Sequence, residues 1–120
     1  MNPSADTRLI VLDRAQMSCE LCYGGLSSSS VHHRRPRGMG GSKDPAINEP
    51  SNLLVICGSG TTGCHGYVES HRAEAYQNGW LVRTGYVPDT VPFIDAQGSW
   101  WLLVGNEKLP IVMPFSTEDL

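Results

Sequence analysis

Apolar and polar positions along this chain fall into short blocks whose order predicts strand, loop, strand and helix in its middle third. Asn52-Leu53-Leu54-Val55-Ile56-Cys57 is a compact β-branched apolar run, suited to a buried strand. Val31-His32-His33-Arg34-Arg35 predicts the end of an earlier strand, on which His32 and His33 face opposite ways because side chains alternate. Between them Arg37 to Pro50 carries Gly38, Gly40, Gly41, Pro45 and Pro50. It is expected as a long irregular loop, a length uncommon unless functional or held down. Residues Cys64 to Asn78 predict one helix stopped by Gly79.

The flanks are plainer. Residues 1 to 6 are expected as a frayed tail before a short helix over Thr7 to Gln16, with Leu9, Ile10, Leu12 and Ala15 on its apolar face. Gly24 to Ser30 reads as a Gly/Ser loop. Trp80 to Arg83 and Trp100 to Val104 are strand-like, Gly105-Asn106 supplies a turn, and Pro88, Pro92, Pro110 and Pro114 divide the remainder. A small sheet that pads the core and frays over Ser116 to Leu120 is therefore expected. Trp80, Trp100 and Trp101 read as packing residues rather than a stacking platform for bases. The fold class is α+β, one domain over 1–120, with a core over about 17–83 and a C-terminal β extension over about 84–120.

Composition changes this picture little. The chain has 120 residues, 40% hydrophobic and 18% charged, enough for one modest core and unlike a disordered chain. No stretch approaches the roughly 20 apolar residues of a membrane span, and no basic and apolar leader precedes the first helix. The expected location is the cytoplasm, without membrane contact. Net charge is −3, mildly unfavourable for binding phosphates, but its distribution is uneven. Residues 1–47 hold six bases and four acids, and residues 48–120 three bases and eight acids. Arg34, Arg35, Arg37 and Lys43 cluster, marking a candidate phosphate-binding face.

The four cysteines come as Cys19-x2-Cys22 and Cys57-x6-Cys64. Two such pairs predict a closed tetrahedral Zn2+ site. The second spacing is wide, but Gly58, Gly60 and Gly63 let its loop fold back. Two disulfides in a secreted scaffold are the competing reading, disfavoured in a reducing cytosol.

The histidines suggest a second ion. His65 directly follows Cys64 and lies on the same helical face as Glu69 four residues on. If zinc anchors that helix beside the strand carrying His32, then His32, His65 and Glu69 converge on a catalytic divalent ion. His33 on the other face is the candidate general base, since an ordinary imidazole is largely neutral at physiological pH. His71 faces elsewhere on the helix. A base, a cation and positive groups for the backbone are what phosphodiester cleavage requires.

Cys19-Glu20-Leu21-Cys22, His32-His33-Arg34-Arg35-Pro36-Arg37-Gly38-Met39-Gly40-Gly41, Asn52 to Cys57 and Gly63-Cys64-His65-Gly66 together resemble the HNH endonucleases, also called ββα-metal or His-Me finger nucleases. The likeness is closest to small zinc-stapled forms of phages and prophages and spans roughly residues 19–83. It implies a ββα-metal core in which His32 and His65 hold the ion, with Glu69 more variable, and His33 is the general base. Asn52 would brace the loop between the strands and so orient His33. It also implies DNA as substrate, cut in one strand or both, with Mg2+, Mn2+ or another divalent ion. Phage members often lie beside packaging genes, which makes terminase subunits candidate partners and host cytoplasm the location. Two other readings compete: a zinc-stapled module that binds DNA or protein without cutting, and a thiol-based redox or metal sensor.

Overall fold

The computed structural model describes residues 2–36 and 45–112. Arg37 and Lys43, the glycines between them and the tail from Ser116 lie outside the described residues.

Strand β1 (Ser29–His33) and strand β2 (Leu53–Cys57) form an antiparallel pair running from Ser29 opposite Cys57 to His33 opposite Leu53. Period-two alternation along β2 separates two packing surfaces. Leu53 and Val55 pack with Val11 and Ala15, on helix α1 (Ala5–Arg14) and just after it. Leu54 and Ile56 face the main core with Cys19, Leu21, Val68, Ala75, Leu81, Phe93 and Leu103. Because β2 is covered on both faces, its first four residues are all buried.

Helix α1 starts at Ala5 rather than Thr7, so the tail expected over residues 1 to 6 is shorter. The Ser4 side chain accepts the Thr7 amide at 3.1 Å, an N-cap that draws two more residues into the helix. At its other end Arg14 binds Glu20 through two bonds of 2.6 and 3.1 Å and donates to the carbonyls of Pro50 and Leu53. Glu20 accepts the Val55 amide at 2.9 Å. This buried pair ties α1 and the Cys19–Cys22 turn to β2.

The helix expected over Cys64 to Asn78 is two helices, α2 (Gly63–Ser70) and α3 (Arg72–Gln77). At the break, the His71 amide makes the last bond of α2, to the Tyr67 carbonyl, and the Ser70 hydroxyl and His71 Nδ1 add local bonds to the carbonyls of Gly66 and Tyr67. Gly79 ends α3 as expected, with φ +76°; a Cβ there would lie 1.9 Å from the Pro92 carbonyl oxygen. Trp80 to Arg83 is not a strand. The Trp80 and Leu81 amides both bond the Ala75 carbonyl and so close α3 instead of joining a ladder.

Downstream, β3 (Phe93–Ile94), β4 (Trp100–Val104) and β5 (Glu107–Ile111) form the small antiparallel sheet expected of the extension. Pro110 lies within edge strand β5 opposite Trp101, where a missing amide is tolerated. Phe93 and Leu103 place this sheet in the same core as Leu54 and Ile56. Among the described residues no helix is long and apolar enough to cross a membrane.

Candidate metal centres

Sulfurs of Cys19, Cys22, Cys57 and Cys64 lie within 4.8 Å of one another. Cys19 and Cys22 come from the turn after α1, Cys57 ends β2 and Cys64 opens α2. Cys22 Sγ and Cys57 Sγ are 3.7 Å apart, close to the roughly 3.8 Å edge of a tetrahedron with zinc–sulfur bonds of about 2.3 Å. Backbone amides point at the sulfurs: Cys22 and Cys57 donate to Cys19, Gly24 to Cys22, and Cys64 to Cys57, each at 3.4 Å. Burial works against ionising Cys19, but these amides outweigh it and lower its pKa. Burial and the neighbouring charge at Cys19 push the Cys64 thiol up. Four crowded sulfurs with such opposed tendencies suit a cation that lets all ionise together, and the set fits Zn2+.

The wide second spacing closes as its glycines predict. Ser59 and Thr62 exchange backbone bonds of 3.1 and 3.2 Å. Gly58, at φ +86°, sits where a Cβ would be 2.0 Å from the Thr62 carbonyl oxygen. Only glycine permits that approach.

His32, His65 and Glu69 form a second group, with their ligand atoms within 4.8 Å of one another. The register explains the meeting: His32 pairs with Leu54, on the strand face that looks at α2. His32 Nε2–H donates to the Trp80 carbonyl at 2.9 Å, which turns Nδ1 toward Glu69 Oε1, 3.9 Å away. His65 Nε2 lies 3.7 Å from the same oxygen. These separations exceed hydrogen-bond reach and approach the roughly 3–4 Å between atoms sharing one divalent ion. Arg72 holds the other oxygen, Glu69 Oε2, at 3.0 Å, and so presents Oε1 to both imidazoles.

Two further observations fit a cation here. Among the described residues, His65 Nδ1 is buried without a hydrogen-bond partner. Burial lowers His32 to about 4, against the Trp80 carbonyl, which pulls it up. Burial also lowers His65, with Glu69 opposing. Both rings are therefore neutral at physiological pH, the form that ligates metal.

A cavity of about 260 Å³ opens over this group, bordered by His32, His33, Pro36, His65, Glu69 and Arg72. His33 belongs to the opposite strand face but, as the last residue of β1, it still borders the cavity. Its Nε2–H donates to Asn48 Oδ1 at 2.8 Å, which assigns the ring proton to Nε2 and makes Nδ1 the basic nitrogen. Asn52 is wholly buried and acts on the backbone. Its Oδ1 accepts the Arg35 amide at 2.7 Å, and its Nδ2 donates to the carbonyls of Arg35 and Ile47 at 3.2 and 2.8 Å. It thereby pins both ends of the loop between the strands.

Arg34 is a correction. Expected to hold phosphate, it is fully buried and donates to the carbonyls of Gly79, Ser51, Pro88 and Val91. Burial brings its guanidinium down to about 9, still charged at neutral pH, and a fully buried group already bonded to four carbonyls is out of reach of a phosphate. Arg35 is half-buried, while Arg37 and Lys43 fall outside the described residues. His71 stacks on Tyr67 with ring centroids 3.9 Å apart, away from the cleft. Asn48, Arg72 and the Trp80 carbonyl were not legible in sequence. Only the i,i+3 spacing from Glu69 could have pointed to Arg72.

Compared with family models, curated proteins and solved structures, the chain matches none.

Proposed function

We propose that the chain is a metal-dependent DNA endonuclease of the HNH, or ββα-metal, kind, with a structural zinc on its four cysteines. One observation carries the reading: His32 Nδ1, the His65 ring and Glu69 Oε1 converge in a cleft that His33 also borders. The order β1, β2, α2, with the four-cysteine cluster where β2 ends and α2 begins, supports the same reading.

His32, His65 and Glu69 would hold a divalent ion such as Mg2+ or Mn2+, which offsets charge developing on the phosphate and the leaving oxygen. His33 Nδ1 takes a proton from a water as its oxygen bonds to phosphorus and the bond to the leaving oxygen breaks; that oxygen then takes a proton from solvent. Asn48 keeps the opposite ring nitrogen protonated. Asn52 holds the loop that carries Asn48 and Arg35. Arg72 steadies Glu69 and is the cleft's own positive group for phosphate.

Supercoiled plasmid incubated with zinc-loaded protein and added Mg2+, Mn2+ or Ni2+ tests the proposal. Nicked or linear product that requires the added ion and disappears in His33→Ala is expected. Intact plasmid with every ion would overturn it and leave a zinc-stapled binding module.

A further inference from the structure

A second cavity, of about 230 Å³, lies beside the cleft and is lined by Tyr76, Leu81, Val82, Arg83, Tyr86 and Val91. Leu81 borders both spaces. The floor is aliphatic and the walls are flat. Arg83 stacks on the Tyr76 ring, 4.2 Å from its centroid, and Arg72, which borders the cleft, reaches the same ring at 6.0 Å. Tyr86 is 61% exposed. Arg83 is also exposed, and among the described residues no carboxylate pairs with it.

Each feature has a chemical counterpart in one ligand. An apolar floor between an exposed phenol ring and a guanidinium plane accepts a flat aromatic group by stacking and cation–π attraction. Arg83 lines the slot and Arg72 the cleft, both over the Tyr76 ring, and their positive charge complements a phosphodiester. A nucleobase with its own phosphate satisfies both. A base inside a duplex is stacked and paired, so its face cannot enter the slot.

We propose that this slot takes an unpaired nucleobase of a DNA strand whose phosphates lie along Arg72 and Arg83, so that the protein prefers single-stranded or frayed DNA. The identity of the strand as DNA rests on the nuclease reading; the slot itself does not depend on cleavage.

Fluorescence anisotropy with zinc-loaded protein and no added catalytic ion separates the two. The probes are a short labelled single-stranded DNA and its blunt duplex, and the variants are Tyr86→Ala and Arg83→Ala. Both side chains are exposed, and unchanged thermal unfolding verifies the fold. The expected result is tighter binding of the single strand, weakened about tenfold by Tyr86→Ala, with a much smaller change for the duplex. Equal affinity for both probes, or single-strand binding indifferent to both substitutions, overturns the slot and leaves the cavity to an apolar side chain of a partner protein. Slot-dependent binding without cleavage under any ion would retain the slot and remove the nuclease reading; ion-dependent cleavage with slot-independent binding would do the reverse.

Discussion

His33 is held by Asn48, whose side-chain oxygen lies 2.8 Å from its Nε2. Two asparagines therefore divide the work expected of one. Asn48 acts on the imidazole directly, while Asn52 bonds the backbone at Arg35 and Ile47, fixing the segment on which Asn48 sits. The arrangement supplies the orientation that a general base needs, and it gives each asparagine a different mutational signature.

Asn48→Ala should lower kcat about 10- to 100-fold through misplacement of the ring, with melting temperature little changed. Asn48→Asp is the sharper test. A carboxylate beside Nε2 favours the imidazolium and raises the His33 pKa, so the neutral base appears only at higher pH. The acid limb of the pH–rate profile should move upward relative to wild type; an unmoved limb would remove His33 from the base role.

Zinc removal should abolish folding. Elemental analysis is expected to find one zinc per chain, and a strong chelator should collapse the cooperative melt, since such sites contribute on the order of 10 kcal/mol in small domains. Cys19→Ser should be more damaging than Cys22→Ser. Cys19 is buried, with the amides of Cys22 and Cys57 aimed at its sulfur, whereas Cys22 is exposed.

Arg34 and Arg72 should separate stability from activity. Arg34→Ala strips a donor from four carbonyls, two of them in buried contacts, and should cost about 3–5 kcal/mol, read as a lower melting temperature or insoluble protein. Arg72→Ala breaks a half-exposed ion pair with Glu69, worth at most about 1 kcal/mol. It should leave the melt nearly intact while lowering plasmid cleavage and weakening Mn2+ binding measured by calorimetry. A large loss of stability in Arg72→Ala would contradict this division.

Asp95 should make stability depend on acid. Burial opposes its charge, but bonds from Tyr23, Trp101 and the amides of Ser99 and Gln97 prevail and lower its pKa; the Trp101 bond is 2.8 Å. A carboxyl lowered by folding stabilises above its unfolded pKa of about 3.9 and loses that contribution as pH falls through the folded value. Asp95→Asn should therefore be destabilised at pH 7 by about 1–3 kcal/mol, and the gap to wild type should narrow as pH drops below about 4. Comparing the two proteins cancels the acid loss of zinc that they share. A gap independent of pH would show that the charge contributes nothing.

The local pattern of side chains was enough to determine the two paired strands, helical structure after them though not its break at Ser70–His71, and the four-cysteine cluster. Each depends on short-range rules: a continuous apolar run at Leu53–Cys57, a glycine at Gly79 that ends α3, and a loop at Gly58 flexible enough to return a sulfur. The grouping of His32 with His65 and Glu69 was also foreseeable, because a cross-link between β2 and α2 leaves the neighbouring residues little freedom.

Tertiary structure alone decided which polar groups are consumed inside the fold. Arg34 and Arg35 are indistinguishable as letters, yet Arg34 meets the carbonyls of Ser51, Gly79, Pro88 and Val91, and its burial is tolerated only because its donors find such acceptors. Asn48 reaches His33 across 15 positions, and the Trp80 carbonyl reaches His32 across 48. Such pairings depend on where remote turns expose unused donors and acceptors, information that no single stretch of sequence contains.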